Sequence, residues 1–600
     1  VKRLLLIVTI IALVLPAFSA GITFKQIYAQ TIIDKVFESG QYDIYNLKFL
    51  KTGNIPSCRQ EFYFALTLFT QGDSQNIELG NTILSKYLPM QVTDPKNPYF
   101  GSWYYEQYLG KREGLEWDMF NPIPVFHIVY SMKDFLTEVN KKLVYQAFGN
   151  VSKGLVQYWY PNHTKPEAIG HTNYHLMYCA DLLLASEYCG DGLGVSLALS
   201  ALENWLSWTK INGVTEFNSP TYLAVDLQAL NTIELYSKNQ KAMKLAGTAI
   251  DLLAADGLLH FKRPKSLLGA NSRSYDVLSG LGKTSRYLEM LISGAILDSP
   301  YDPSSILDVY FDHQLGGWVR QLWGSALKES FTFESKWSPD VWAVRKTWYG
   351  NNIAVGTSGM AYGSQDRNLV IDRFDSLWQA SFVPAIAIND KPEELPEIGG
   401  GSGRNHLSVT TFTVQDKNRA LQLFDITYKE PDFDMNRLSL VFMFPKSELL
   451  LSESNPKPNS PFAIQTDNDL IMVRPFVSSD DATIHKHQKG ELTIIEIRLV
   501  HDLRKDIGRR FFAGLTLEVA ENVYDAKAVF EAWISKPFSF RIVEHDKRVN
   551  VSFDGLKIDY DITRKRPTGL PNSTGAVFST PWTCMDDNGL WTSDWGEIEF

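Results

Sequence analysis

Gly170-His171-Thr172-Asn173-Tyr174-His175 runs directly into the apolar stretch Leu176 to Ala185. Gly170 breaks a helix, Thr172 and Asn173 are good N-cap residues, and the apolar positions that follow recur at helical spacing. These residues predict the start of a helix, with Thr172 or Asn173 as its cap and His175 in its first turn. A second knot, Glu216-Phe217-Asn218-Ser219-Pro220-Thr221-Tyr222, opens a later helix in the same way, with Pro220 fixing the approach and Leu223 to Leu230 continuing inward. Two polar, aromatic helix starts in a helical tract place chemistry at the end of a bundle.

Outward from them, apolar residues recur at three-and-four spacing in Phe62–Phe69, Ile77–Leu88, Phe126–Phe148, Asn173–Tyr188, Val195–Trp208, Tyr222–Tyr236, Ala242–Leu253 and Gly280–Ile296. Gly72-Asp73, Gly190-Asp191-Gly192 and Asn212-Gly213 punctuate them. Helical hairpins in such a series stack into a bundle, a solenoid or a closed toroid. The pattern changes near residue 305. Short β-rich runs follow, among them Trp342–Trp348, Ile353–Thr357, Ser376–Ile388, Leu438–Phe444 and Val549–Asp554, and their turn signals indicate an antiparallel sandwich or barrel. The expected organisation is a signal segment at 1–19, a helical catalytic domain at 20–304 and a β-sandwich region at 305–600. Gly399-Gly400-Gly401-Ser402-Gly403 lacks the Lys and Ser/Thr of a phosphate loop.

Lys2 and Arg3, the apolar run Leu4 to Leu15, Pro16 and the small-x-small Ala17-Phe18-Ser19 read as a secretion signal, so the protein is expected to be secreted or periplasmic. No later stretch is long and apolar enough for a membrane span. A net charge of −10 argues against a general nucleic-acid binder. Lys262, Arg263, Lys265 and Arg273 can still form a local basic cleft for an acidic polysaccharide, and 15 Trp with 27 Tyr supply flat apolar faces suited to sugar rings as well as cores. Four cysteines form no metal-ligand spacing, and the pairing of Cys179 with Cys189 depends on the helix between them ending early. The sequence names no cofactor and leaves a structural metal ion open.

His171 and His175 are four apart, a spacing that can bind zinc, but the His-Glu-x-x-His pattern is absent. A first-turn His175 at the accessible end of a bundle would be held neutral by the helix dipole and could act as a general base. Tyr222 also lies in a first helical turn. Arg273, in Ser272-Arg273-Ser274-Tyr275-Asp276, can grip a carboxylate or pair with an acid of the chain itself. Glu216, Asp226, Asp118 and Asp276 are the carboxylates that a glycoside hydrolase would need.

Asn173-Tyr174-His175 together with Tyr222-Leu223-Ala224-Val225-Asp226-Leu227-Gln228-Ala229-Leu230 resembles the polysaccharide lyases of the α/α-toroid type, the alginate, hyaluronate/chondroitin and heparinase II/III-like groups. The family element is often Asn-Asn-His, and the Arg found before the Tyr in alginate-lyase-like members is missing from Glu216 to Thr221. The resemblance implies an N-terminal (α/α) toroid followed by antiparallel β-sandwich domains, and β-elimination at a uronic acid. It implies Asn173, His175 and Tyr222 as catalytic residues. Asn173, with Arg273 in place of the missing Arg, would neutralise the uronate carboxylate. His175 or Tyr222 would take the C5 proton, and Tyr222 would protonate the leaving oxygen. His171, Glu216, Asn218 and Tyr275 are further substrate-binding candidates. A toroid glycoside hydrolase and a non-catalytic carbohydrate-binding protein are the alternatives.

Overall fold

A computed structural model describes residues 23–50, 58–103, 119–163, 172–261, 267–274, 282–296, 300, 302–326, 331–363, 366–374, 378–388, 409–427, 435–454, 456–500, 508–568, 582–586 and 589–591. Helix α1 (Phe24–Glu38) starts at a capping box between Thr23 and Gln26. Four antiparallel hairpins follow. They are α2 (Cys58–Gln71) with α3 (Ser74–Tyr87), and α4 (Pro122–Ser131) with α5 (Glu138–Gly154), which continues through a π-turn into α6 (Tyr160–His163). Next come α7 (Thr172–Cys189) with α8 (Gly192–Asn212), and α9 (Tyr222–Tyr236) with α10 (Gln240–Leu259). The first helix of each pair is buried almost all round, as its largely apolar sequence requires; α3, α5 and α8 bury one stripe, such as Ala198, Ala201, Leu202, Trp205, Leu206 and Thr209 of α8, while α10 is buried all round from Leu252 to Leu259.

Because each outer helix carries the chain back, the inner helices α2, α4, α7 and α9 run the same way, and their starts gather at one end of the ring. Helix α11 (Lys283–Ser293) packs on α9 and α10, and the 3₁₀ turn Pro303–Tyr310 packs on α1 and α2, which returns the chain to where the ring began. The region is the expected (α/α) toroid. Phe126–Phe148, expected as one helix, divides into α4 and α5 because Thr137 caps a new helix, its side chain accepting the Asn140 N–H. Cys179 and Cys189 are both free: α7 runs unbroken through both, and ten residues of helix separate them by about 15 Å.

Apart from the short pair Tyr42–Asp43 and Lys48–Phe49, the strands come after α12 (Gly317–Ala326) and begin at Phe331, later than the change of pattern near 305. A ten-stranded antiparallel sheet has the order Thr483–Lys489, Leu492–Val500, Met435–Pro445, Gln379–Ile388, Leu369–Arg373, Ile353–Ser358, Val344–Tyr349, Phe331–Lys336, Trp582–Asp586, Gly589–Trp591. One face packs on a six-stranded sheet ordered Glu448–Leu451, Phe462–Thr466, Asp469–Val477, Arg510–Ala520, Arg419–Thr427, Thr410–Asp416. Ala420, Phe424 and Ile426 point into that sandwich, whereas Leu421 and Leu423 point to the opposite face. There they meet Phe530 and Trp533 of α13 (Ala526–Ile534) and a four-stranded sheet, Phe538–Val543, Arg548–Phe553, Leu556–Asp561 and Arg566–Pro567. Coverage on both faces explains why Asp469–Val477 is buried at every position instead of alternating.

The other face of the large sheet meets the toroid. Arg345 pairs with Asp256 of α10, and the Tyr349 hydroxyl donates to the Leu259 carbonyl at 2.7 Å. Residues 267–274 form a strap trapped in this seam. The Gly269 N–H donates to Asp372 at 2.7 Å, and Asn271 pairs with Arg367 as an isolated bridge. A Cβ on Gly356 would come within 2.2 Å of the Gly269 Cα, so this approach needs glycine.

Candidate active site

The two polar helix starts meet. The Asn173 N–H, in the first turn of α7, donates to Glu216 Oε2 at 2.9 Å, and the hydroxyls of Thr172 and Thr215 share a hydrogen bond of 2.9 Å. Glu216 Oε1 receives Arg273 Nη1 at 3.1 Å, and Arg273 Nη2 donates to the Tyr222 hydroxyl at 3.0 Å. The guanidinium also lies over the Tyr222 ring, 4.5 Å from its centroid. One arginine thus joins a buried carboxylate on one side to a half-exposed phenol on the other.

The local sequence explains the placement. The Ser219 side chain accepts the Tyr222 N–H at 3.1 Å, and Thr284 of α11 holds the Ser219 and Pro220 carbonyls, so Tyr222 is fixed at the first residue of α9. Arg273 is in the left-handed region at φ 47°, a costly conformation for a side-chain-bearing residue, and its surroundings enforce it. Its N–H donates to Asp366 Oδ1 at 3.1 Å. Ser272 next to it gives both its N–H and its hydroxyl to the Phe217 carbonyl, each at 3.0 Å.

Asp366 comes from the β region. Its other oxygen accepts the N–H groups of Tyr362 and Gly363, so one carboxylate holds the backbones of both Arg273 and Tyr362. The Tyr362 hydroxyl in turn shares the Arg273 guanidinium, and its ring stands edge-on to Trp337, 5.9 Å between centroids. Tyr362 and Asp366 carry no signal beside the helix starts. The only local hint is an aromatic residue and an acid beside Gly359 and Gly363 in a loop between strands.

Burial shapes the electrostatics. It pushes Glu216 up to about 7, against the pull of Arg273 and the Asn173 N–H. It pushes Asp366 up to about 6 against three backbone N–H donors. Asp226, one turn along α9 from Tyr222, is raised well above the carboxylate range by burial and then by Glu216; neither of its oxygens has a hydrogen-bond partner among the described residues. Burial thus disfavours its charged form.

The remaining candidates differ in their surroundings. Asn173 is fully buried, and its carboxamide has no hydrogen-bond partner among the described residues. His175 does not stand at an accessible helix end as expected. It is 3% exposed, its Nε2 lies 3.2 Å from the Ala201 carbonyl of α8, and its ring packs 5.6 Å from Trp159. The cause is α7 itself, an inner helix covered on all sides from its first turn. Asn218 is also buried. Its amide donates to the Leu268 and Ala270 carbonyls at 2.9 and 3.1 Å, which fastens the strap that carries Arg273. His171, Tyr275, Asp118, Asp276, Lys262, Arg263, Lys265, the signal segment and the loop at 399–403 lie outside the described residues. Among the described residues there is no group of three or more His, Cys, Asp or Glu able to hold a metal ion, and no helix is long and apolar enough to cross a membrane.

Comparison with known proteins adds the following. A family model described as a domain of unknown function, DUF8769, matches residues 27–275. No curated protein matches. Among solved structures, a chondroitin AC lyase from Streptomyces coelicolor A3, solved with chondroitin sulphate, is 10% identical; the match covers 90% of this chain and 85% of that one, at a TM-score of 0.47. A heparinase III is 10% identical, with 90% of each chain covered and a TM-score of 0.30. An endoglucanase, CelQ from Clostridium thermocellum, is 11% identical over 80% of this chain and 87% of that one, at a TM-score of 0.20. With every TM-score below 0.5, these likenesses are similarities only, and the chemistry below rests on the side chains.

Proposed function

We propose that the protein is a secreted polysaccharide lyase that cleaves a uronic-acid-containing polysaccharide by β-elimination, with Tyr222 as the group that moves the proton. The observation that carries this reading is the Tyr222 hydroxyl held at 3.0 Å by Arg273, which is itself backed by the buried Glu216. A guanidinium on a phenolic oxygen stabilises the phenolate, so the same oxygen can accept a proton and then return it. The phenolate takes the C5 hydrogen of the uronate, the C5–H electrons form the C4=C5 double bond, and the C4–O bond breaks. The departing oxygen recovers the proton from Tyr222. No water is consumed, and the tyrosine ends as it began.

The C5 proton becomes acidic enough only when the neighbouring carboxylate is neutralised, because the carbanion would otherwise sit beside a full negative charge. Asn173 is the proposed partner of that carboxylate. Its amide is out of water and has no hydrogen-bond partner among the described residues. Glu216 and Asn218 are positioning residues in this scheme, acting through Arg273 and the strap. His175, turned against α8 and Trp159, leaves the base role to Tyr222. A hydrolase is less well supported, since it needs two carboxylates facing the substrate, whereas Glu216 is tied to Arg273 and Asp226 is buried inside the bundle. Incubation with a panel of uronate polymers tests the reading. Ultraviolet absorbance from a new C4=C5 bond supports it, while new reducing ends without absorbance, or binding without products, contradict it.

A further inference from the structure

The geometry points to a second saccharide-binding site, a groove between the large sheet, the six-stranded sheet and the C-terminal four-stranded sheet that takes an acidic sugar of the same polymer chain. This inference rests on the proposed function for the identity of its ligand. The groove has a volume of about 420 Å³, within the range of small-molecule sites, and Tyr362 is one of its walls. Tyr362 also shares the guanidinium that holds Tyr222. A ligand in the groove therefore touches one side of a residue whose hydroxyl belongs to the reacting cluster. That continuity is what makes the ligand a further part of the substrate and not an unrelated molecule.

The lining fits a sugar with one negative charge. Met360, Val409 and Phe412 give an apolar floor, with Thr410 beside it. Three charged side chains face the space, namely Asp340, Lys565 and Arg566. Arg566 is ion-paired with Asp340 at 2.5 Å, so those two charges cancel. Lys565 is exposed at the end of the turn leading into Arg566–Pro567, and it has no ion-pair partner among the described residues. Its ammonium leaves the groove with one net positive charge, which matches a carboxylate or a sulfate ester. Lys565 takes the left-handed position of that turn, φ 53°.

The test separates this site from the reaction. Binding of polymeric uronates, sulfated and unsulfated, is measured by affinity electrophoresis in a Tyr222→Phe background, with and without Lys565→Glu. Thermal unfolding serves as the control for folding. Charge reversal at one exposed contact is expected to weaken binding about tenfold, with the difference shrinking at high salt. If the effect appears only with sulfated polymer, the groove takes a sulfate ester; if with both, a carboxylate. Equal binding by the two proteins, or no binding of any acidic polymer, overturns the site. If Lys565→Glu weakens binding but wild-type protein releases no unsaturated product from any polymer, the groove stands and the lyase reading fails.

Discussion

Replacing Arg273 with Gln removes the side chain that joins Glu216, Tyr222 and Tyr362. Its contacts with Tyr222 and Glu216 are of different kinds. The contact with the Tyr222 hydroxyl, 3.0 Å, stabilises the phenolate as it forms, and a charge-assisted hydrogen bond of this sort contributes about 1.5–3 kcal/mol. Lost from the transition state, that amounts to roughly 10- to 150-fold in kcat. The contact with Glu216, 3.1 Å, is a buried ion pair, and stripping one partner from such a pair ordinarily costs about 3–5 kcal/mol of stability. Here the cost is smaller, because Glu216 already sits near 7 and takes up a proton at neutral pH instead of staying as a bare charge. Arg273→Gln should therefore fold, with a modestly lower Tm and with kcat reduced by the factor above. Arg273→Lys, which keeps the charge and loses the planar fork, should fall between. Initial rates followed by absorbance of the new double bond, paired with thermal unfolding, measure both effects. A folded Arg273→Gln enzyme with kcat within about threefold of wild type would refute the role assigned to the guanidinium.

Two further outcomes follow from buried titratable groups. Glu216, held near 7, keeps its proton in the folded chain between about pH 4.5 and 7 while the unfolded chain has lost it, so its contribution to stability is present at low pH and disappears as pH rises through 7. Asp366 near 6 and Asp372 near 7 act in the same direction. Tm should fall from pH 5 to pH 8, and Glu216→Gln should flatten that fall; an unchanged pH dependence in the variant would count against the burial argument. His313 shows the opposite chemistry. Burial disfavours its charge, but bonds to Asp251 and Glu234, which join α10 and α9 to the turn before α12, outweigh burial and push it up to about 9. Its contribution is full below about pH 6.5 and is lost as pH rises through 9. His313→Gln should lower Tm at pH 6 and nearly match wild type at pH 10, and an equal deficit at both would remove the imidazolium from the account.

Much of the fold was legible because it depends on local periodicity. Helix α9 begins at Tyr222 and ends at Tyr236 as the apolar spacing indicates, and strands such as Ile353–Ser358 announce themselves by β-branched residues between turn signals. Thr483–Lys489 did not, since an edge strand of His, Lys and Gln lacks the apolar face that marks a strand. Helix α12 was missed in the expected β region although Trp318, Val319, Leu322, Trp323 and Ala326 recur at helical spacing, because Gly316, Gly317 and Gly324 read as turn signals. In the site, local sequence located Asn173, Glu216 and Tyr222, and marked Arg273 as a loop arginine in search of an acid. It could not supply Tyr362 and Asp366, which reach the cluster across the seam from about ninety residues further on. It also placed His175 at the surface, because reading a helix start as an exposed end overlooks that an inner helix is enclosed there too.

The central claim is that Tyr222 carries out an elimination. Its direct test is the ultraviolet absorbance of an unsaturated uronate, recorded for wild type and Tyr222→Phe on the same acidic polysaccharide, with binding measured in parallel. Wild type should generate the absorbance, and the phenylalanine variant should bind the polymer nearly as well and generate none. Continued formation of the double bond by Tyr222→Phe, or cleavage by wild type with no double bond at all, would contradict the account.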